Sequence, residues 1–79
     1  MPVTMKLSQL MPGDRAVIRA VHAEQGLHLR LAALGFRVGK ALQLVRRGIM
    51  NGPLHVRIGA TEVAIRVIDA GQIDVYIDE

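Results

Sequence analysis

The sequence predicts an all-β domain: about five short strands forming a small barrel or sandwich, with one short helix inserted early. Three observations carry this expectation. Runs of alternating aliphatic and polar residues recur through the chain, as in Leu54–Ile58, where Leu54, Val56 and Ile58 share one face. Turn residues separate these runs at short spacing. A single stretch, Leu27 to Lys40, breaks the alternation and carries helical periodicity instead.

Taken in order, Met5 to Leu7 reads as an edge strand, and Ser8-Gln9-Leu10 as a turn or single helical turn. Pro12-Gly13-Asp14 is a turn in which proline presets φ and glycine accepts positive φ. Arg15 to His22 is rich in β-branched residues and predicts a strand. In LHLRLAALGFRVGK, Leu27, Leu31 and Leu34 fall at i, i+4 and i+7 and give a short helix one apolar face. Gly35 stands where positive φ closes a helix, and no Ser, Thr, Asp or Asn marks its start. Ala41 to Arg47 predicts the next strand, and Asn51-Gly52 a tight turn inside the loop Gly48 to Pro53. Leu54 to Ile58 and Thr61 to Val67 follow as strands about a Gly59-Ala60 hairpin turn. Asp69-Ala70-Gly71 is a further turn before a last strand, Gln72 to Ile77. Leu31, Leu34, Leu42, Leu44, Val56, Ile65 and Val75 are assigned to the core, and Phe36 plugs it. Seventy-nine residues fit one domain spanning 1–79, below the size at which chains divide.

Composition narrows the chemistry. The chain has no cysteine, which removes thiolate catalysis, redox switching and thiolate metal sites. Ser8, Thr4, Thr61 and Tyr76 lie in no nucleophile-elbow setting, and no glycine-rich phosphate loop is present, so no catalytic residue is expected. His22, His28 and His55 lack ligand spacing; no metal site and no cofactor is expected, a direct carrier of iron or zinc being the alternative that three histidines leave open. The formal charge is +3, with cations through the middle at Arg30, Arg37, Lys40, Arg46, Arg47, Arg57 and Arg66 and acids gathered at Asp69, Asp74, Asp78 and Glu79. A basic barrel is one way to bind nucleic acid, but Phe36 and Tyr76 are the only aromatics for stacking, and nucleic acid is not the expected partner. No apolar run approaches the roughly 20 residues of a membrane helix, and no signal segment opens the sequence; a cytoplasmic protein that meets membranes only through a partner is expected.

What remains is a protein-interaction surface. Ile49 and Met50 stand in a loop between Gly48 and Asn51, rimmed by Arg46, Arg47 and Arg57. An exposed apolar pair with a cationic rim is a contact patch. The expected partner-binding residues are Ile49, Met50, Arg46, Arg47 and, on the outer face of the helix, Arg30.

The order of MKLSQL, a Pro-Gly turn, LRLAALGFRVGK, a strand ending Arg46-Arg47, Asn-Gly-Pro and VAIRVIDAGQIDV resembles the ferrous-iron transport protein A (FeoA) family. The resemblance runs from about Met5 to Val75, and its most specific parts are Leu34-Gly35 with Val38-Gly39, and Val63-Ala64-Ile65-Arg66 followed by Ala70 and Ile73. It implies an SH3-like β-barrel with a helical insertion. It further implies a small non-enzymatic cytoplasmic accessory protein that docks on or modulates FeoB, the membrane ferrous-iron transporter with a GTP-binding domain.

Overall fold

The computed structural model describes residues 3–77. Six strands, β1 (Thr4–Lys6), β2 (Arg15–Val21), β3 (Ala41–Arg47), β4 (Leu54–Ile58), β5 (Thr61–Ile65) and β6 (Ile73–Ile77), form one antiparallel sheet in the order β1-β6-β2-β3-β4-β5. A 3-10 turn (Leu7–Gln9), helix α1 (Gln25–Ala33) and the one-turn helix α2 (Val67–Ala70) complete the described residues. The expected edge strand at Met5 to Leu7 forms one residue earlier, as β1, and pairs with β6 through Thr4–Tyr76, Met5–Val75 and Lys6–Asp74. The expected strand Thr61 to Val67 ends at Ile65. There Arg66 donates from Nε to Asp69 Oδ2 (2.8 Å) and from Nη2 to Asp69 Oδ1 (3.2 Å), a two-pronged clasp over the turn of α2. Asp78 and Glu79, half of the expected acidic end, lie outside the described residues.

The core is aliphatic plus one phenylalanine. Leu42, Leu44, Leu54, Val56, Ile58, Ile65, Ile73 and Val75 are buried from the strands, and Leu7, Leu10, Leu31, Phe36 and Ala70 close over them. Alternation along β4 is regular: Leu54, Val56 and Ile58 are buried while His55 and Arg57 face out. The Pro12-Gly13 turn forms as predicted. Asp14 N donates to Met11 O (2.9 Å) around Gly13 at φ 95°, and Asp14 Oδ2 accepts from Met11 N (2.8 Å).

Helix α1 begins two residues before the predicted Leu27. Its N-cap is Glu24, whose longer side chain bends back so that Oε1 accepts from Leu27 N (2.9 Å). At the other end Gly35 N donates to Ala32 O (3.0 Å) and Phe36 N to Leu31 O (2.9 Å), with Gly35 at φ 104°. This paired closure is a Schellman motif, and its customary apolar contact joins Phe36 to Leu31. It also corrects the expected core. Leu34 is 45% exposed, whereas Leu31 and Phe36 are 2% and 1% exposed. The helix ends at Ala33, and the reversal at Gly35 delivers Phe36 into the place that unbroken helical periodicity gives to Leu34. Leu31→Ala should therefore cost about 2–5 kcal/mol, and Leu34→Ala less than about 1 kcal/mol, in chemical denaturation of the two variants.

Three strands meet at one ion cluster. His22 Nε2, just past β2, donates to Asp74 Oδ2 on β6 (2.8 Å), and Lys6 Nζ on β1 stands 3.5 Å from Asp74 Oδ1. The His22 hydrogen bond, chiefly, holds the Asp74 carboxyl below the ordinary aspartate range, against a smaller opposing effect of burial. A carboxylate more acidic in the folded state stabilises the fold above its unfolded pKa, and the contribution disappears as pH falls through the lowered folded value. Stability should thus decline on acidification below about pH 4, and Asp74→Asn should flatten that acid limb in melting curves recorded against pH.

Candidate protein-interaction surface

The residues expected at a partner surface are positioned by a bulge in β3. Between Leu44–Val56 and Arg46–His55 the β3–β4 register shifts by one residue at Val45. Arg46 consequently lies beside His55 on the outer face, and Arg47 takes the place opposite the buried Leu54. From there Arg47 Nη1 donates to Ser8 O (3.0 Å) and Leu10 O (2.8 Å), tying the 3-10 turn to the sheet. Its guanidinium is part-buried and committed to these carbonyls. Arg46 and Arg57 remain on the outer face, where Nη1 of Arg46 and Nη2 of Arg57 share Glu62 at 3.5 and 3.7 Å.

The loop that follows is a tight turn centred one residue earlier than Asn51-Gly52. Gly52 N donates to Ile49 O (2.9 Å), and the two central residues, Met50 (φ 54°) and Asn51 (φ 60°), both occupy the left-handed region. This is the arrangement of a type I′ turn. The glycines serve a different need. Gly48 N donates to Pro53 O (2.9 Å), and a Cβ on Gly48 would lie 2.8 Å from the Gly52 carbonyl carbon and 2.9 Å from Pro53 O. Both glycines are used where the two arms of the hairpin close on each other, so the left-handed positions fall to methionine and asparagine. Ile49 and Met50 project outward, 86% and 95% exposed.

A trough runs away from this tip. Asn51, Gly52, Pro53, Arg66, Val67 and Ile68 line one hollow of about 500 Å³. Through Arg66 it adjoins a second of about 380 Å³, between α1 and the end of β5, where Leu27, Arg30, Leu31, Leu34 and Ile65 contribute. The trough thus bridges two positions that the sequence left unconnected, Arg30 and the loop. Leu34 and Ile68 (71% exposed) put further aliphatic surface on it, and Arg30 and Arg66 give it cationic rims. Asp69 is engaged by Arg66, whose guanidinium it holds above its ordinary pKa through their hydrogen bond and opposite charge. Leu34 was missed as a surface residue because helical periodicity places it inside, and Ile68, just past the expected strand Thr61 to Val67, was assigned to neither core nor surface.

The histidines do not converge. His22 is held by Asp74, and His55 Nδ1 lies 4.0 Å from Glu62 Oε1. Among the described residues no three His, Cys, Asp or Glu side chains are grouped to hold a metal ion, and no helix is long and apolar enough to cross a membrane.

Comparison with known proteins decides the family. Residues 5–77 match the FeoA domain. The chain belongs to the FeoA family. It is 35% identical over 73 residues, 92% of its length, to the Fe(2+) transport protein A/Fe(2+) transporter FeoB fusion protein of Porphyromonas gingivalis, of which it spans only 9%. Among solved structures it is similar to the FeoA protein of Chlorobium tepidum, with a TM-score of 0.86 and 36% identity over 95% of this chain and 74% of that one. It is also similar to Stenotrophomonas maltophilia FeoA complexed with zinc, described as a prokaryotic SH3 domain protein, with a TM-score of 0.74 and 35% identity over 94% and 89% of the two chains. The chain is therefore an SH3-like FeoA domain, of a family associated with ferrous iron transport. The iron-transport resemblance read from its sequence is upheld.

The turn geometry generates a paired prediction. Met50→Gly relieves a left-handed side-chain residue and should stabilise the domain by about 0.5–1 kcal/mol. Gly48→Ala forces the hairpin neck apart and should lower the melting temperature; both are read by thermal melting with circular dichroism.

Proposed function

We propose that this FeoA domain is a non-enzymatic accessory module of ferrous iron uptake that docks on FeoB from the cytoplasm. The observation that carries the reading is the Porphyromonas gingivalis relative, in which a segment like this chain is joined covalently to FeoB. Covalent fusion raises the effective concentration of two modules toward the millimolar range, an arrangement suited to partners whose contact is otherwise weak. The character of the trough supports the same reading. It is open, largely aliphatic and edged by Arg30 and Arg66, features of a contact surface for another protein more than of a closed small-molecule pocket.

Docking is assigned to this trough and to the hairpin at its end, with Arg30, Arg46, Ile49 and Met50 as contacts. Arg47 takes part by fixing the base of the hairpin against the 3-10 turn, since its Nη1 is engaged by the Ser8 and Leu10 carbonyls.

The test is binding of the purified chain to detergent-solubilised FeoB from the same source, with and without a GTP analogue. Saturable binding is expected, and Arg30→Glu should weaken it at least about tenfold, near 1.4 kcal/mol, with the melting temperature unchanged. Absence of binding at tens of micromolar in both nucleotide conditions overturns the proposal.

A further inference from the structure

The hairpin tip carries an inference of its own. From Gln25 to Thr61 the chain contains no acidic residue and six cations, so the whole β3–β4 hairpin is free of carboxylates. Ile49 and Met50 are the two most exposed large apolar side chains among the described residues. They stand side by side at a convex tip, and the crowded Gly48–Gly52 neck holds them clear of the body. Met50 sits in a backbone conformation that asparagine or glycine adopts more readily, and its side chain gains no packing in return. Behind the tip on the outer face stands Arg46; Arg57, farther along β4 opposite Gln43, shares with it the single carboxylate of Glu62, with His55 also beside it, which leaves an excess of positive charge. Ile68 adds a third exposed aliphatic across the hollow beside Pro53.

Protruding aliphatics with guanidinium groups set behind them match the layering of an anionic bilayer surface, where acyl chains lie beneath a sheet of phosphates. A protein pocket would need to supply both a cleft for the tip and acids around it; the lipid surface offers the two layers everywhere. We propose that the β3–β4 hairpin is a membrane-contacting element, Ile49 and Met50 entering the interface of an anionic phospholipid bilayer while Arg46 and Arg57 meet lipid phosphates. Two aliphatics and two arginines make a weak, reversible contact, suited to orienting a domain already held near the membrane. The inference deepens the docking reading at one end of that surface and rests on it for its setting. Its test contains no transporter, so the two fail separately.

The full chain is mixed with vesicles of phosphatidylcholine alone or of phosphatidylcholine with phosphatidylglycerol, and bound protein is measured by flotation at low and high salt. Binding is expected only to the phosphatidylglycerol vesicles, falling as salt rises, and inorganic phosphate at the same ionic strength should compete no better than chloride. The double variant Ile49→Ser/Met50→Ser and the double variant Arg46→Gln/Arg57→Gln should each reduce the bound fraction at least about fivefold while retaining the wild-type melting temperature. Because the chain has no cysteine, Met50→Cys and Val38→Cys each accept one environment-sensitive dye. Val38 is likewise exposed but precedes β3, at the opposite end of that strand from the tip. A blue shift at position 50 without one at position 38 is the expected signature. No vesicle binding at millimolar lipid, equal shifts at both positions, or serine variants that bind vesicles as well as the wild type would each overturn the proposal.

Discussion

The single residue inserted at Val45 governs how this domain presents itself. Without that bulge, strand alternation would turn Arg46 inward against Leu54 and leave Arg47 outside. With it, one arginine goes to the surface and the next goes in, where it supplies two charge-assisted hydrogen bonds to carbonyls of the 3-10 turn. A part-buried guanidinium needs such partners, and the peptide carbonyls around the end of the 3-10 turn need donors. Each need answers the other. The hairpin beyond the bulge inherits its aim from this arrangement, and with it the direction in which Ile49 and Met50 project.

A second constraint acts at α1. One short helix must cover part of a sheet built from small aliphatic strands, and it does so with few large side chains. Leu31 comes from the helix and Phe36 from the reversal after it, so the closing motif is itself part of the core. Using the loop for core packing releases Leu34 to the outer edge. The trough between α1 and α2 is the result: aliphatic because its walls are the backs of core elements, and polar at its rims, where Arg30 stands and Arg66 is paired with Asp69.

Much of the architecture is legible in the sequence. Alternation located β3 and β4 to the residue, and the Pro12-Gly13 and Gly35 turns formed where positive φ was anticipated, because these signals depend on local sterics. The misplacements have a common origin in register. Neither the bulge at Val45 nor the shift of the turn to Met50-Asn51 leaves a mark in a period-2 pattern; both arise from crowding between strands, where Gly48 and Gly52 are needed for approach and not for φ. Leu34 was misplaced because a heptad-like spacing continues past the point where the chain has ceased to be helical. Of the surface residues, Arg30, Arg46, Ile49 and Met50 are exposed, whereas the internal use of Arg47 depends on carbonyls more than thirty residues away in sequence and was not legible.

The strand order has a consequence for how the domain comes into being. β6, the last strand along the chain, lies between β1 and β2, so it is an interior member of the sheet. A nascent chain can assemble the β3–β4–β5 meander from neighbouring residues, but β1 has no partner and β2 lacks one edge until residues 73–77 have left the ribosome. These pairings join the most distant parts of the sequence and carry the largest loop-closure cost. Local pairing thus builds the half that bears the hairpin, and the most remote contacts seal the other. When such a domain is followed by a longer polypeptide, its final strand must still fold back between β1 and β2 before the sheet is complete.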